Sequence, residues 1–300
     1  MLAPFPETNK FNVSEPLASQ LLRAAERLPL YDNKEFYSTA LQKFVYDSIR
    51  SSNPDGFDEL VDAIKQGLAR RPYCALVSGL RFDDGNRLFV ALNRAFGELV
   101  ARPYEKPRAQ LVHYIQPQTD VRSTRGGRES ERLHTDTADW KTPVELISMT
   151  CVNADTAGGG RSQILDVDTA RSEVNEKLGP ETLSLLDRQP VPWQLAPYLG
   201  GGVAWRPILT ETAMCWRRYT INLALNNEGA TLDDEMLHAL DEFEQVVTQC
   251  EGKVDFLMRE GELLFSDNTR TIHARTPLAD PSTSNRLMIR SWIRTSMNGS

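Results

Sequence analysis

The stretch GELLFSDNTRTIHAR, residues 261–275, contains two short runs that predict two β-strands. The first run covers residues 262–266, and the second covers residues 269–273 and ends at His273. Further short strands are predicted at residues 73–78, 110–116, 144–152, 161–167, 254–258 and 286–294. Short strands separated by turn residues, without regular alternation of strand and helix, indicate a β-sandwich or jelly roll.

Helical patterns dominate the first hundred residues. A helix is predicted to start at Ser14-Glu15-Pro16, and others follow at residues 34–49, 57–69 and 87–100. Later we predict two short helices at 169–178 and 181–187, several short strands within 191–224, and an amphipathic helix at 233–250. We therefore expect a mixed α+β fold with a mainly β core. It would form one domain, residues 1–300, in which a mainly helical part, 1–105, packs on a jelly-roll core, 106–300.

The bulk composition indicates an ordinary globular protein. Hydrophobic residues make up 40% of the 300-residue chain and charged residues 25%, as in ordinary globular domains. The net charge of −7 argues against nucleic acid and anionic membranes as partners. No apolar run approaches the roughly 20 residues that span a bilayer, and no signal-peptide pattern is evident. The four scattered cysteines favour free thiols, so we expect a cytoplasmic protein and leave its oligomeric state open.

Three residues predict a metal site. His134 and Asp136 are two positions apart in RLHTDT, residues 132–137, so on a strand both side chains would point to one face. A third ligand must come from another strand, and His273 ends one. Two imidazoles and one carboxylate form the facial triad of non-heme Fe(II) oxygenases. Taken singly, an H-x-D pair is also common at polar strand ends, and a lone histidine is usually structural.

Four motifs carry a family resemblance. They are HTD at 134–136, GGRS at 159–162, the long stretch at 261–275, and the pair Arg286 and Arg290. In this order and spacing they resemble the taurine dioxygenase / clavaminate synthase group of Fe(II)- and 2-oxoglutarate-dependent dioxygenases, over roughly residues 73–294. The resemblance implies a double-stranded β-helix (jelly roll). It also implies iron held by His134, Asp136 and His273, with 2-oxoglutarate and O2 as co-substrates.

The same resemblance assigns residues to the co-substrate and the substrate. Ser162 stands where relatives usually have a threonine whose hydroxyl helps to hold 2-oxoglutarate, although a plain glycine turn is the alternative. Arg286 would clamp the distal carboxylate of 2-oxoglutarate with its planar guanidinium. Arg290 would bind a carboxylate or other anionic group of the substrate. Along residues 286–294 the even positions carry three arginines, which fits an anion-binding interior but also an exposed polar face.

Substrate contacts are expected from loops that flank the ligand pair. Asp139 and Trp140 follow the pair directly, and further candidates are Lys141, Arg122, Arg125, Arg128, Tyr198, Trp205 and Arg206. The mixture of anionic and cationic side chains suits a small zwitterion. The predicted activity is therefore oxidation, most simply hydroxylation, of a free amino acid or an amino-acid derivative, with release of succinate and CO2.

Three other functions fit parts of the pattern. A desaturase or cyclase would use the same cofactors. A non-catalytic jelly-roll module for metal binding or sensing would need no clamp for 2-oxoglutarate, so Arg286 and Ser162 count against it. A zinc hydrolase could use the same three ligands, and it would contain zinc as purified and act without oxygen.

Overall fold

The computed structural model describes residues 2–101, 111–117 and 131–295. The helices are α1 (Glu15–Glu26), α2 (Thr39–Arg50), α3 (Pro54–Ala69), α4 (Arg87–Arg94), α5 (Val167–Arg188), α6 (Arg218–Asn227) and α7 (Asp234–Gln249). The strands are β1 (Lys10–Asn12), β2 (Cys74–Ser78), β3 (Gly97–Val100), β4 (His113–Ile115), β5 (Leu146–Asn153), β6 (Ser162–Asp166), β7 (Val191–Gln194), β8 (Val203–Arg206), β9 (Val254–Phe256), β10 (Leu263–Asp267), β11 (Thr271–Arg275) and β12 (Leu287–Thr295). The fold is therefore mixed α/β with a mainly β core, as predicted.

The strands form two sheets and a separate hairpin. The larger sheet has the order β1-β2-β10-β5-β12-β3, with β4 also paired to β12, and the smaller sheet has the order β11-β6-β9. Strands β7 and β8 form the hairpin. Consecutive strands β10 and β11 lie in different sheets, and Asp267 shapes the turn between them by accepting hydrogen bonds from the backbone N–H of Thr269 and Arg270. The stretch at 261–275 thus joins the two sheets.

Each layer of the molecule has its own apolar core. Helices α1–α4 pack on the outer face of the larger sheet, where Leu21, Val45 and Ile64 belong to one cluster with Phe265 and Ile293. Helices α5 and α7 cover the outer face of the smaller sheet. A third cluster lies between the sheets and joins residues of β6 and β9 to residues of β2, β5, β10 and β12.

Strands β5 and β12 contain a register irregularity. Leu287 pairs with Asn153 and Met288 pairs with Cys151, so Val152 has no partner across the ladder. An extra residue of this kind is a β-bulge, which bends and twists the strand locally. The bulge lies just after Arg286, at the start of the strand that carries the predicted anion-binding arginines.

Two predictions about secondary structure are wrong. The helix expected to reach Val100 ends at Arg94, and residues 97–100 form β3 because Gly97 lets this segment approach β12 closely. A Cβ on Gly97 would lie 2.2 Å from the carbonyl oxygen of Arg294. The region 191–224 was expected to hold strands only, but α6 begins at Arg218, because its buried residues follow helical spacing.

Most other elements are where the sequence placed them. The two helices predicted at 169–178 and 181–187 form α5, which is interrupted at Gly179 by a φ of 90°. The predicted loop arginines Arg122, Arg125 and Arg128 lie outside the described residues. Among the residues that the structure describes, no helix is long and apolar enough to cross a membrane.

Candidate metal centre

The structure brings the three predicted metal ligands together. His134 and His273 form an antiparallel backbone pair, with both N–H···O=C hydrogen bonds at 2.9 Å. Nε2 of His134 lies 3.8 Å from Oδ1 of Asp136, and Nε2 of His273 lies 4.0 Å from Oδ2. All three ligand atoms fall within 4.8 Å of one another. This donor set, with two nitrogens and one carboxylate on one side, fits an Fe(II) ion with open positions.

Backbone contacts fix the orientation of the ligands. Nδ1 of His134 donates to the carbonyl oxygen of Arg132 at 2.8 Å, which leaves Nε2 unprotonated for a metal. The buried Asn268 accepts from the N–H of Asp136 at 3.0 Å and donates to the carbonyl oxygens of Asp136 and Val144. Asn268 therefore ties the turn after β10 to the H-x-D segment, which explains why Asp-Asn precedes the second histidine.

The electrostatics keep the ligands in the protonation states that a metal requires. Burial lowers the pKa of His134 to about 3, and the charges of His273 and Arg217 add to this effect. Burial also lowers the pKa of His273. Burial alone would raise the pKa of Asp136, but Arg290 and the two histidines hold it well below its usual range. Neutral imidazoles and an ionised carboxylate are the metal-binding forms.

Two side chains from β12 bind the carboxylate of Asp136. Nη1 of Arg290 donates to both oxygens, at 3.0 Å and 2.8 Å, and Nε1 of Trp292 donates to Oδ2 at 2.9 Å. Trp292 is fully buried, and the ring of His113 packs edge-on against it at 4.5 Å. The sequence pattern had placed Arg290 on this face but gave Trp292 no role, because nothing in a single sequence shows which carboxylate an indole N–H reaches.

Arg286 lies buried at the start of β12 beside the glycine turn. Its side chain is nearly inaccessible, and burial lowers its pKa to about 10, with the charge of Arg275 adding to the effect. Within the described residues no acceptor lies within hydrogen-bonding distance of its guanidinium. Gly160, with a φ of 66°, makes room for it, because a Cβ there would lie 2.8 Å from Nε of Arg286. A buried guanidinium without an anion is suited to receive one from a ligand.

The glycine turn lies beside Arg286 at Gly160, and Ser162 begins β6 directly after the turn. Asp155, which sequence reasoning missed, accepts from the N–H of Gly159 and from the hydroxyl of Ser284, both at 2.9 Å, and so fixes the turn. Ser162 is buried and pairs with Arg275, two residues after His273 on the same face of β11. Ser162 therefore faces the same side of the smaller sheet as His273.

Asp139 and Trp140 lie in a loop that the β7–β8 hairpin holds in place. Nε1 of Trp140 donates to the hydroxyl of Tyr198 at 2.9 Å, and its ring is buried 5.8 Å from that of Trp292. Oδ1 of Asp139 is buried and has no hydrogen-bond partner among the described residues. Arg206 donates to the carbonyl oxygens of Ala138, Trp140 and Lys141. The predicted substrate candidate Arg206 thus positions the loop backbone.

A cavity of about 740 Å³ lies apart from the metal ligands. It is lined by Leu133 and Gln163 and by residues of α7, including Asp241 and Glu244. Leu133 directly precedes His134, and Gln163 directly follows Ser162. Because side chains alternate along a strand, Leu133 and Gln163 point to the opposite face of the sheet. This cavity shares no lining residue with the triad.

Comparisons with known proteins agree with this site. The sequence profile described as "Taurine catabolism dioxygenase TauD, TfdA family" matches residues 203–292, a range that includes His273, Arg286 and Arg290. No curated protein matches the sequence. The resemblance found in the sequence is confirmed by this match over residues 203–292, and solved structures show a similar fold.

Three solved structures show the similarity of fold. Asparagine oxygenase in complex with Fe(II), (2S,3S)-3-hydroxyasparagine and succinate has a TM-score of 0.75 at 15% identity, over 96% of this chain and 94% of that chain. The non-heme iron oxygenase OrfP in complex with Fe and α-ketoglutaric acid has a TM-score of 0.72 at 16% identity, over 96% and 93%. A taurine dioxygenase from Burkholderia xenovorans has a TM-score of 0.56 at 18% identity, over 79% and 82%.

Proposed function

We propose that this chain is a member of the TauD, TfdA family and an Fe(II)- and 2-oxoglutarate-dependent oxygenase that hydroxylates an amino acid or an amino-acid derivative. The observation that carries the proposal is the combination of two features. The His134, Asp136 and His273 ligands lie together, and the buried guanidinium of Arg286 makes no hydrogen bond or ion pair among the described residues. A metal site alone would not require such an arginine.

Iron would be held by Nε2 of each histidine and by one oxygen of Asp136. Bound iron supplies the activation of dioxygen, coupled to the conversion of 2-oxoglutarate to succinate and CO2. The residues of the chain supply position and exclusion of water. Arg286 would bind the distal carboxylate of 2-oxoglutarate through two charge-assisted hydrogen bonds, and the hydroxyl of Ser162 would donate to the same carboxylate.

The arrangement of the sheets and of the apolar core supports two further parts of the proposal, the type of β fold and the number of domains. We propose that the two sheets are the halves of a double-stranded β-helix, with the metal ligands between them. The cluster that joins α1–α4 to β10 and β12 supports a single domain over residues 1–300, because it makes one continuous core of the predicted helical part and the sheet.

An amino-acid substrate is supported by the ligands of similar proteins and by the polar groups near the site. Asparagine oxygenase and OrfP have been solved with 3-hydroxyasparagine and with (3S)-hydroxy-L-arginine. In this chain we assign Arg290 to a carboxylate of the substrate. With iron in place, Asp136 would keep its bond from Trp292, and Arg290 would turn to the substrate. Asp139 and Trp140 complete the proposed substrate contacts.

A binding module without activity and a zinc hydrolase fit the site less well. Both would use the three ligands, but neither would have a use for Arg286, whose burial without a partner costs free energy in the protein alone. Desaturation or cyclisation would need the same residues as hydroxylation, and the product decides among these outcomes.

An anaerobic titration of the Fe(II)-loaded protein with 2-oxoglutarate tests the proposal. We expect a visible charge-transfer band, because such a band arises when the keto acid chelates iron. Replacing Arg286 by Met should weaken the apparent affinity for 2-oxoglutarate by roughly 10- to 100-fold, since bonds to charged groups contribute about 1.5–3 kcal/mol. Replacing the exposed Arg259 by Met is the matched control.

A substrate screen completes this experiment. Amino acids and their derivatives are offered in air with Fe(II) and 2-oxoglutarate, succinate is measured, and the product mass distinguishes addition of oxygen from loss of hydrogen. A protein that contains zinc as purified, shows no charge-transfer band and acts without oxygen would overturn the proposal.

A further inference from the structure

Arg217 lies on the metal face of the molecule, although no sequence motif pointed to it. The N–H of Thr135 donates to the carbonyl oxygen of Trp216 at 2.7 Å, and the N–H of Trp216 donates to Oγ1 of Thr135 at 3.0 Å. Trp216 is buried in the core outside the smaller sheet, on the side that Leu133 and Ile272 also face. Arg217 follows in an extended conformation, so its side chain points to the other side, where His134 and His273 lie.

The charge of Arg217 acts on both histidine ligands. It lowers the pKa of His134, after burial and His273, and it lowers the pKa of His273, after burial and Arg290. Among the described residues no carboxylate or other acceptor lies within hydrogen-bonding distance of its guanidinium. Arg217 is therefore, after Arg286, a second arginine near the metal ligands whose guanidinium has no hydrogen-bond acceptor among the described residues.

The neighbouring arginine shows the contrast. Arg218 is the first residue of α6, and its Nη2 donates to Oδ1 of Asp241 on α7 at 2.5 Å. Arg218 thus has a structural partner between two helices. Arg217, one residue earlier, has no such partner within the part of the chain that the structure describes, and it faces the ligands.

Arg217 and Arg286 lie on different elements. Arg286 immediately precedes β12 and lies beside Gly160 of the glycine turn. Arg217 immediately precedes α6 and follows Trp216, whose N–H donates to Thr135. Because the two guanidinium groups have different neighbours, they suit two different anions.

We propose that Arg217 binds a carboxylate of the primary substrate and that, together with Arg290, it selects a substrate with two anionic groups, an acidic amino acid. This inference rests on the proposed function and makes the substrate class narrower. A guanidinium is the side chain best suited to a carboxylate in a partly buried site, because its donors match both oxygens.

The test compares acids with their amides. L-aspartate, L-glutamate, L-asparagine and L-glutamine are offered to the Fe(II)-loaded protein with 2-oxoglutarate, and succinate formation is measured. We expect one of the two acids to give the highest kcat/KM. Binding is measured separately as the change that each amino acid causes in the visible band of the anaerobic Fe(II)–2-oxoglutarate complex.

Variants of Arg217 then test whether this residue causes the preference for the acid over the amide. Replacing Arg217 by Leu should lower kcat/KM for the preferred acid by about 10- to 100-fold and leave the amide nearly unchanged, because only the acid loses a charged partner. Replacing it by Lys should keep part of the preference. The control is Arg218→Leu, which removes the neighbouring arginine and should leave the preference intact.

Each other outcome overturns the inference. The inference falls if the amides give the highest kcat/KM or if neither acid changes the visible band. It falls too if Arg217→Leu lowers kcat/KM equally for the acids and the amides. It also falls if Arg217→Leu weakens 2-oxoglutarate binding while Arg218→Leu does not, since Arg217 would then serve the co-substrate. If Arg217→Leu does not fold, the Lys variant decides, and an unchanged kcat/KM for the acid overturns the inference. Failure of the wild-type protein to form the visible band at all would instead reject the proposed function itself.

Discussion

The helical layer and the metal face each bury an arginine, and the two arginines differ in their partners. Arg87, at the start of α4, is 4% exposed, and its Nε donates to Oδ2 of Asp83 at 2.8 Å. Its Nη1 also donates to the carbonyl oxygens of Leu28 and Pro29. Arg286 is 7% exposed and has no such acceptor among the described residues. Equal burial therefore serves structure at Arg87, whereas at Arg286 we propose that it serves ligand binding.

The difference shows how a binding residue can be recognised without a bound ligand. Burying a charge is costly unless hydrogen bonds and an opposite charge compensate for it. The charge of Arg87 is compensated within the protein by Asp83 and two carbonyl oxygens, so its burial requires no ligand. Arg286 makes no such hydrogen bond or ion pair among the described residues, and under our proposal an anion of the ligand would supply the missing partner. The missing partner, rather than the arginine itself, indicates function.

The largest expected effect concerns stability. Replacing Arg87 by Met should lower the free energy of unfolding by about 3 kcal/mol, because Asp83 would remain buried without its counter-charge. Replacing Arg286 by Met should not lower it, since no internal ion pair is lost and an apolar side chain fills the space. Urea denaturation of the two variants without metal and 2-oxoglutarate measures both values. A loss for Arg286→Met as large as that for Arg87→Met would mean that Arg286 is structural too.

A smaller effect, on the affinity for Fe(II), is expected when Trp292 is replaced. Replacing it by Phe keeps an aromatic ring in the core but removes the donor to Asp136, so the carboxylate is held less firmly. Loss of a partner of a metal ligand typically costs at least about 10-fold in metal affinity. Competition with a chelator should therefore show roughly 10-fold weaker Fe(II) binding.

Trp140 provides the matched control for this variant. Its ring packs near that of Trp292, but its N–H donates to Tyr198 rather than to a metal ligand. Trp140→Phe should leave the Fe(II) affinity unchanged. If both variants weaken Fe(II) binding equally, packing of the two rings, and not the hydrogen bond to Asp136, is responsible.

The smallest effect is expected at Ser162. Replacing it by Ala should weaken 2-oxoglutarate binding by about 5-fold, since a single hydroxyl hydrogen bond contributes about 1 kcal/mol. Ser162→Thr keeps the hydroxyl and should bind 2-oxoglutarate as the wild-type protein does. The anaerobic titration measures both variants, and a loss in the Thr variant equal to that in the Ala variant would argue against a role for the hydroxyl.

The sequence predicted the parts of the site that depend on local spacing. His134 and Asp136 could be placed on one face because side chains alternate along a strand, and the stretch at 261–275 marked the second histidine. The order of motifs then brought distant segments together through resemblance. The arginines of β12 were placed on one face for the same reason, and the structure has Arg290 at the metal ligands.

The parts that were missed depend on contacts between distant segments. The role of Trp292 depends on a hydrogen bond to a residue 156 positions earlier in the chain. Arg217 lies in a region expected to form strands, and its direction follows from the pairing of Trp216 with Thr135. Strand β3 was predicted as the end of a helix because only the close approach of Gly97 to β12 reveals it as a strand.

The β-bulge at Val152 affects how the enzyme could adapt to other substrates. The extra residue lies on β5 opposite the step from Leu287 to Met288 on β12, so the local twist falls between the positions of Arg286 and Arg290. If these two arginines hold the co-substrate and the substrate as proposed, the span between them is a property of the backbone. A change of substrate length would then be accommodated by the surrounding loops.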